Sequence, residues 1–219
     1  MSRTTEVTVV GLGGSLAPVS NSAAALNLAL RGAAEGGART SLLDLRELQL
    51  PMYVPGMEPT DSVRRLCDTM FAANGLLWSS PLYHGTISGS FKNALDWLEL
   101  LGDREPAYLT DKVVGLISTA GGLHGLQAIN SMEFVVRALR GWAVPLVIPI
   151  PQASRVFSDD GRAVDPMVEQ QLYALGREVA RAASRFKIGQ LTTPDAVAAK
   201  EQLQPLSGRD FPKPDLRKV

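Results

Sequence analysis

The sequence is poor in cysteine and histidine, the two residue types that build most disulfides and transition-metal sites. Its 219 residues include one cysteine, Cys67, and two histidines, His84 and His124. One cysteine excludes an intrachain disulfide and a multi-cysteine metal centre, and two histidines leave few ligands for a histidine-based centre. Cys67 falls on an apolar stripe with helical spacing, so we interpret it as a core residue. We expect no resident metal ion.

The sequence also lacks an excess of charge of one sign and lacks long apolar runs. The 22 basic residues balance the 22 acidic ones, and no basic stripe is interleaved with aromatic side chains, which argues against nucleic-acid binding. No stretch approaches the roughly 18 uncharged apolar residues of a membrane span, and the first residues, MSRTTEVTVV, are not apolar enough for a signal peptide. We therefore predict a cytoplasmic protein with neither a membrane nor a nucleic-acid partner.

Short apolar runs alternate with helix-length segments along the chain. This alternation is typical of a parallel sheet with helices on both faces, and 219 residues suffice for a single α/β core. We predict five helices and five strands, with the strands at residues 6–11, 40–44, 75–80, 112–119 and 143–150.

The last predicted helix has a well-marked start and is followed by a change in composition. Asp165 can cap it, Pro166 suits its first position, and its apolar stripe ends at Phe186. The residues beyond are polar and rich in proline. We predict a domain at residues 1–188 and a C-terminal tail at 189–219, which is either disordered or an arm lying across a partner subunit.

Hydroxyl side chains cluster between the first predicted strand and the next helix. In the segment VVGLGGSLAPVSNS an apolar run ends in glycines, and four hydrogen-bond donors follow, namely Ser15, Ser20, Asn21 and Ser22. Amides and the dipole at the start of the helix would add to an anion site. The segment has no lysine or arginine, so neutral donors would hold the anion, which favours a monophosphate over a metal-bound triphosphate. The alternative is a tight turn in which the serines only cap the helix.

Familiar glycine and serine motifs fit this segment poorly. The dinucleotide fingerprint G-x-G-x-x-G would use Gly11 and Gly13 but meets Leu16 at its third glycine. The P-loop signature G-x-x-x-x-G-K-[ST] is absent, and Ser15 does not stand in the G-x-S-x-G of an esterase. A kinase, an NTPase and a hydrolase are therefore disfavoured.

Two further segments follow predicted strands and carry small or polar residues, SSPLYHGTISGS and STAGGLHG. In an open parallel sheet, ligands bind beyond the carboxyl ends of the strands, so these segments and the hydroxyl cluster should meet at one edge. Backbone amides at residues 82–85 could bond the edge of a flat heteroaromatic ring, with Tyr83 as an apolar face. Gly121, Gly122 and Gly125 would let the backbone approach it. The alternative is an aromatic loop that only packs on the domain.

Taken together, GGSLAPVSNS, SPLYHGTISGSFKNALDWL and KVVGLISTAGG resemble the NADPH-dependent FMN reductase family. That flavodoxin-like group includes flavin, quinone, azo and chromate reductases. The resemblance covers residues 5–186 in order and spacing, and it implies an α/β, flavodoxin-like three-layer sandwich whose five-stranded parallel sheet has the order 2-1-3-4-5. It also implies non-covalent FMN in the domain at 1–188, and a homodimer or homotetramer with flavin sites near the subunit boundary.

The resemblance implies cofactor-binding roles for particular residues. The phosphate loop would use Ser15, Ser20, Asn21 and Ser22. The isoalloxazine loop would use Pro81, Leu82, Tyr83 and His84, together with the amide of Gly85. The second flavin-edge loop would use Ser118, Gly121 and Gly122. Family members commonly carry an arginine where this chain has Ala17, two residues after the first phosphate-loop serine.

The activity that the resemblance implies is FMN-dependent oxidation of NAD(P)H. Hydride would pass from NADPH or NADH to FMN and then to a flavin, a quinone or another small acceptor, with the cofactor supplying the reactivity. No side chain is assigned a firm catalytic role, and His84 could either transfer a proton to the acceptor or only shape the pocket. The alternative is an FMN-binding electron carrier without NAD(P)H turnover. The neutral net charge favours the enzyme, because flavodoxins proper tend to be strongly acidic.

Overall fold

A sheet of five parallel strands lies at the centre of the computed structural model, which describes residues 6–158 and 160–192. Along the chain the strands are β1 (Thr8–Gly13), β2 (Arg39–Asp44), β3 (Gly75–Tyr83), β4 (Thr86–Ile87), β5 (Val113–Thr119) and β6 (Trp142–Ile150). Their order is β2-β1-β3-β5-β6, and the short β4 pairs antiparallel with β3. Because β5 and β6 are the fourth and fifth predicted strands, the predicted flavodoxin-like order is confirmed. The two-residue β4 is an addition that the sequence pattern did not predict.

Helices cover both faces of the sheet, as predicted. They are α1 (Asn21–Glu35), α2 (Leu45–Leu48), α3 (Asp61–Ala72), α4 (Gly89–Asp96), a 3₁₀ helix (Trp97–Leu101), α5 (Leu126–Ala138), α6 (Ala153–Val156) and α7 (Pro166–Thr192). α1 and α7 pack on one face, and α3, α4 and α5 pack on the other. The elements that were not predicted separately, α2, α6 and the 3₁₀ helix, are too short to show a helical period. Within the described residues, no helix has both the length and the apolar character needed to cross a membrane.

The place of each strand in the sheet explains its burial. β3 and β5 are central, and nearly all of their residues are buried because helices cover both faces. β2 and β6 are edge strands, in which exposed and buried residues are mixed. The core therefore forms two apolar layers, one on each side of the three inner strands.

Cys67 belongs to the layer formed by α3, α4 and α5, so the prediction of a core residue is confirmed. Its thiol donates to the carbonyl of Trp97 at 3.4 Å. Burial raises the pKa of this thiol to about 11, so Cys67 stays protonated and unreactive at neutral pH.

The last helix is longer than its apolar stripe predicts. The stripe ends at Phe186, whereas α7 spans Pro166–Thr192. The predicted boundary between residues 188 and 189 thus falls inside a helix, and the first compact unit ends at Lys187. Residues 193–219, which make up most of the predicted tail, lie outside the described residues, so the role of the tail stays a prediction.

A buried lysine binds the end of α3. Lys112 precedes β5 and is 8% exposed. Its ammonium donates to the carbonyl oxygens of Phe71 and Ala73, at 2.5 and 2.9 Å, which lie at the end of α3, where carbonyls lack partners within the helix. Burial lowers the pKa of Lys112 from 10.5 to about 8, against the opposing charge of Asp111.

We predict that Lys112→Met changes how stability depends on pH. Between the folded pKa of about 8 and the unfolded value of 10.5, the unfolded chain binds more protons than the folded one, so Lys112 makes the free energy of unfolding rise with pH. The rise is at most about 1.4 kcal/mol per pH unit, and the variant lacks it. At high pH the variant should be less stable than the wild type by about 1–3 kcal/mol, because the substitution removes the donor to the two carbonyls that Lys112 binds. Urea denaturation from neutral to alkaline pH measures it, and a constant difference would contradict the assignment.

Candidate functional site

The connections that follow β1, β3, β5 and β6 meet at the carboxyl edge of the sheet. The chain passes from β1 to β2 on one side and from β3 to β5 on the other, which makes this edge the switch point at which open α/β sheets bind ligands. A shallow cavity of about 210 Å³ opens there. We call it the strand-end cavity, and its lining is Ser15, Ala17, Val19, Ser20, Asn21, Ser22, Pro81, Leu82, Tyr83, Thr119, Ala120, Gly121, Ala153 and Ser154.

A larger groove lies beside this cavity, on the outer side of α1. Its volume is about 800 Å³, and its walls come from α1, β2 and the turn near Gly161. We call it the α1 groove, and it shares Val19, Ser20 and Asn21 with the strand-end cavity. The α1 groove follows the flank of a helix and an edge strand, whereas the strand-end cavity lies where ligands bind in this architecture, so size alone does not locate the site.

The loop between β1 and α1 starts with a backbone contact that only glycine permits. A Cβ atom on Gly13 would lie 2.1 Å from the carbonyl oxygen of Ser79 on β3. The next amide, that of Gly14, donates to the same oxygen at 3.1 Å. The chain can therefore turn directly over the end of β3, which brings the hydroxyl cluster above the strand ends.

Ser20 is the centre of this loop. It is the N-cap of α1, and its Oγ accepts from Ser15 N at 3.1 Å, from Ala23 N at 3.2 Å and from the Ser15 hydroxyl at 3.2 Å. The hydroxyl hydrogen of Ser20 takes no part in these bonds, so it can be donated to a ligand. The amides of Asn21 and Ser22 begin α1, where a helix offers them no carbonyl partner. The loop thus presents three donors and the positive end of a helix dipole to an anion.

Ser22 has a different role from Ser20, although both belong to the same polar segment. It is 2% exposed, and its Oγ lies 2.6 Å from Thr119 Oγ1 at the end of β5. Its carbonyl accepts from the hydroxyl of Ser79 at 2.8 Å. Ser22 therefore ties the first loop to two neighbouring strands, and its hydroxyl is already engaged within the protein.

The opposite wall of the cavity is the hairpin that joins β3 to β4. His84 and Gly85 form its two-residue turn with φ values of +48° and +87°, the combination required by a type I′ turn. Thr86, just after the turn, hydrogen-bonds Ser131 of α5 at 3.0 Å, which fixes the hairpin against a helix. Tyr83 lines the cavity and is 51% exposed, so its ring can border a bound ligand.

The loop after β5 completes the site. The amide of Ala120 donates to the carbonyl of Ile150 at 2.9 Å, which joins the ends of β5 and β6. Gly121 lines the cavity, and a Cβ on Gly121 or Gly122 would meet no atom of the described residues within 4 Å, so the backbone there is open to a ligand. Ser118 is fully buried and, within the described residues, its hydroxyl has no hydrogen-bond partner.

The structure brings most of the predicted site residues together around the strand-end cavity. Those that line it are Ser15, Ser20, Asn21, Ser22, Pro81, Leu82, Tyr83 and Gly121. Four others lie outside the lining, and their binding roles stay predictions: His84, Gly85, Ser118 and Gly122. The lining also includes Thr119 and Ser154, which were not predicted. Thr119 is the last residue of a predicted strand, and that position could have predicted its place in the cavity lining.

A cation also reaches the first loop from outside its own segment. Arg46, in α2, donates from Nη1 to the carbonyl oxygen of Pro18 at 2.8 Å. It forms an ion pair with Asp44, the N-cap of α2 and the last residue of β2. The segment that supplies the hydroxyl cluster has no charge of its own, so its sequence predicts neutral donors only and gives no sign of Arg46.

An open parallel sheet with a donor-lined cavity at its switch point defines a flavodoxin-like α/β protein, and the cavity lies where this architecture binds ligands. The family described as NADPH-dependent FMN reductase matches residues 7–154. The chain belongs to this family, which confirms the resemblance found in the sequence. The match covers all of β1 to β6 and so includes every loop around the strand-end cavity.

Individual relatives agree with this assignment. The chain is 32% identical over 127 residues to an NADPH-dependent FMN reductase, ArsH, of Acidithiobacillus ferrooxidans, and the match covers 58% of this chain and 52% of the relative. It is 34% identical over 118 residues to an FMN-dependent NADPH-azoreductase of Staphylococcus aureus, and this match covers 53% of this chain and 60% of the relative. These matches thus span just over half the length of the curated relatives. The fold is similar to that of FerB, a flavoenzyme NAD(P)H:(acceptor) oxidoreductase of Paracoccus denitrificans, with a TM-score of 0.68 and 19% identity over 82% of this chain and 98% of that one.

We predict that the hydroxyls of Ser22 and Thr119 are energetically coupled. Each of Ser22→Ala and Thr119→Val should lower the free energy of unfolding by about 1–3 kcal/mol, because the remaining hydroxyl stays buried without a partner. The double variant should lose clearly less than the sum of the two single losses. A double-mutant cycle measured by urea denaturation tests this, and additive losses would show that the 2.6 Å contact carries no coupling.

Proposed function

We propose that this protein is an FMN-dependent NAD(P)H oxidoreductase. In this proposal, FMN binds non-covalently in the strand-end cavity, receives hydride from NADPH or NADH and reduces a small acceptor such as a flavin or a quinone. The observation that carries the proposal is the donor arrangement at Ser20, Asn21 and Ser22 on one wall, opposite the exposed ring of Tyr83 on the other. Both curated relatives named above are NADPH-dependent by name, which supports NADPH as a reductant.

The first loop fits the phosphate of FMN. A phosphate dianion needs several donors and gains from a helix dipole, and the hydroxyl hydrogen of Ser20 and the first two amides of α1 are available. Two of the serines are engaged with the protein itself, since Ser15 donates to Ser20 and Ser22 pairs with Thr119. These two hold the loop in shape, whereas Ser20 and the amides would contact the anion.

The hairpin fits the ring of FMN. When bound, FMN supplies the hydride-accepting chemistry, and the protein supplies placement and electrostatics. The backbone of residues 82–85 would donate to the ring edge and stabilise negative charge there. Tyr83 would border one side of the ring, and the side-chain-free backbone at Gly121 would leave room for it on another. The proton-transfer role of His84 stays a prediction, and its exposed turn leaves the side chain accessible to an acceptor.

The proposal is tested by flavin binding and nucleotide turnover. Purified protein should bind FMN saturably, and the loaded protein should oxidise NADPH or NADH faster when a quinone or free flavin is added. Flavin absorbance and anaerobic stopped-flow spectra report both steps. Flavin binding without turnover of either nucleotide would favour an electron carrier and overturn the enzyme proposal.

Ser20→Ala should weaken FMN binding by about tenfold or more, because a charge-assisted hydrogen bond is lost. It should also lower the free energy of unfolding by about 1 kcal/mol through loss of the N-cap. Thr60→Ala is the matched control, since Thr60 caps α3 in the same way and does not line the strand-end cavity. Equal FMN affinity in the two variants would show that Ser20 does not contribute to FMN binding.

We also propose a cytoplasmic homodimer or homotetramer, in which α5 lies at a subunit contact. Phe134 on α5 is 72% exposed and borders a surface cavity of about 470 Å³ between α4 and α5. Leu95, Val135 and Leu139 line the same cavity, together with the charged residues Lys92, Asp96 and Glu99. An exposed aromatic side chain beside a partly apolar cavity with charged residues around it supports a protein contact.

Phe134→Asp should therefore shift the protein towards monomer, because it places a charge in the apolar contact. Light scattering after size exclusion measures the shift. Met167→Asp is the control, since Met167 is similarly exposed but lies on α7. A monomeric wild-type protein, or equal behaviour of the two variants, would contradict the proposal.

A further inference from the structure

The base of the hairpin that joins β3 to β4 is fixed by buried groups. Ser80 is fully buried, and its Oγ accepts from the amide of Ser88 at 3.0 Å and donates to the carbonyl oxygen of Pro81 at 3.0 Å. Ile87 is 7% exposed and belongs to the apolar layer on that side of the sheet. These contacts hold the two ends of the hairpin but do not reach its turn.

The turn of the hairpin has little support of its own. β4 has two residues, and its pairing with β3 consists of Leu82 with Ile87 and Tyr83 with Thr86. A ladder this short is marginal by itself, and His84 has a positive φ, which costs energy in a residue other than glycine. The conformation of the turn therefore depends on contacts with the rest of the fold.

Ser131 of α5 supplies such a contact. Its Oγ donates to the carbonyl oxygen of Gln127, one turn earlier in the same helix, at 3.1 Å. A hydroxyl has a single hydrogen, so the 3.0 Å bond between Thr86 Oγ1 and Ser131 Oγ is donated by Thr86. Gln127 also lies beside the turn, since a Cβ on Gly85 would be 3.4 Å from its side-chain oxygen. The first two turns of α5 thus support the turn of the hairpin.

The opposite face of α5 is anchored in the core. Ala128, Ile129 and Met132 are each at most 1% exposed and belong to an apolar layer. The bond between Thr86 and Ser131 lies at the surface, so its loss leaves this layer intact. Alanine also has the highest helix propensity. Ser131→Ala therefore removes the contact to the hairpin without unfolding α5.

We propose that Ser131 is a positioning residue, which acts through Thr86 to hold the backbone of residues 82–85 against the ring of bound FMN. This inference rests on the proposed function, because it concerns the same site. Hydride transfer adds negative charge to the ring, and backbone donors stabilise that charge best when they are oriented towards it beforehand. A hairpin held by Ser131 therefore favours reduced over oxidised FMN, and a hairpin without this contact loses part of that preference.

The ratio of two affinities separates this role from a structural one. If Ser131 only contributed to folding or to the shape of the cavity, its loss would weaken reduced and oxidised FMN by the same factor. If it holds donors towards the charge of the reduced ring, reduced FMN loses more affinity. Binding and reduction form a thermodynamic cycle, so the potential of bound FMN relative to that of free FMN measures the ratio.

The test measures the affinity for oxidised FMN and the potential of bound FMN. In Ser131→Ala and in Thr86→Val, the preference for reduced FMN should fall about fivefold, as expected for the loss of an ordinary hydrogen bond. The affinity for oxidised FMN should fall less than about twofold. Ser131→Thr keeps the hydroxyl and should keep the preference. Ser184→Ala is the matched control, because Ser184 donates in the same way to the carbonyl oxygen of Ala180, at 2.9 Å, but in α7.

A second measurement needs no flavin. In the protein without FMN, the backbone amides of residues 82–87 should exchange hydrogen about fivefold faster in Ser131→Ala than in wild type, and at the wild-type rate in Ser184→Ala. Equal exchange in Ser131→Ala and wild type, or an unchanged preference for reduced FMN, would overturn the role of Ser131 while leaving the proposed function intact. A wild type that does not bind FMN would overturn the proposed function and this inference together.

Discussion

The contact between the backbones of Gly13 and Ser79 determines where the first loop lies. Only glycine fits at this position, because a Cβ on residue 13 would lie 2.1 Å from the carbonyl oxygen of Ser79. The hydroxyl of Ser79 then donates to the carbonyl of Ser22, and the hydroxyl of Ser22 meets Thr119. These three contacts connect β1, β3 and β5 at their carboxyl ends, so the start of α1 is fixed relative to the sheet before any ligand arrives.

The serines around the first loop differ in what their hydroxyl groups contact. Ser22 and Ser79 are buried and bonded to the protein, so they hold the start of α1 against the sheet. Ser20 is partly exposed at the rim, accepts bonds from its neighbours and keeps its own hydrogen for a ligand. In the proposed site, Ser20 and the first amides of α1 would contact the phosphate, and the direct binding roles of Ser15 and Ser22 stay predictions. The pre-formed loop costs less to order on binding than a loop in which all hydroxyls are free.

The strands and most of the cavity lining could be predicted from local patterns, whereas the order of the strands in the sheet was implied by the resemblance to the family. Apolar runs mark the strands, and small or polar residues after each run mark the loops at one edge. Contacts between distant segments could not be predicted in this way. Ser22 and Thr119 are 97 positions apart, and Pro18 and Arg46 are 28 apart. The hairpin containing β4 was missed for a different reason, since it depends on a positive φ at His84, a residue type that rarely signals a turn.

The described residues that line the strand-end cavity are uncharged, and the charges next to them are paired. The guanidinium of Arg46 lies at the loop, next to the α1 groove, and is matched by the carboxylate of Asp44. The other wall is formed by the backbone of the hairpin and by uncharged side chains such as Leu82 and Tyr83. Because this ion pair carries no net charge, neutral donors and the dipole of α1 would act on the phosphate end of a flavin, and peptide dipoles would act on its ring. Under the proposed function, such neutral donors would stabilise negative charge on a reduced ring without adding a fixed charge to the site.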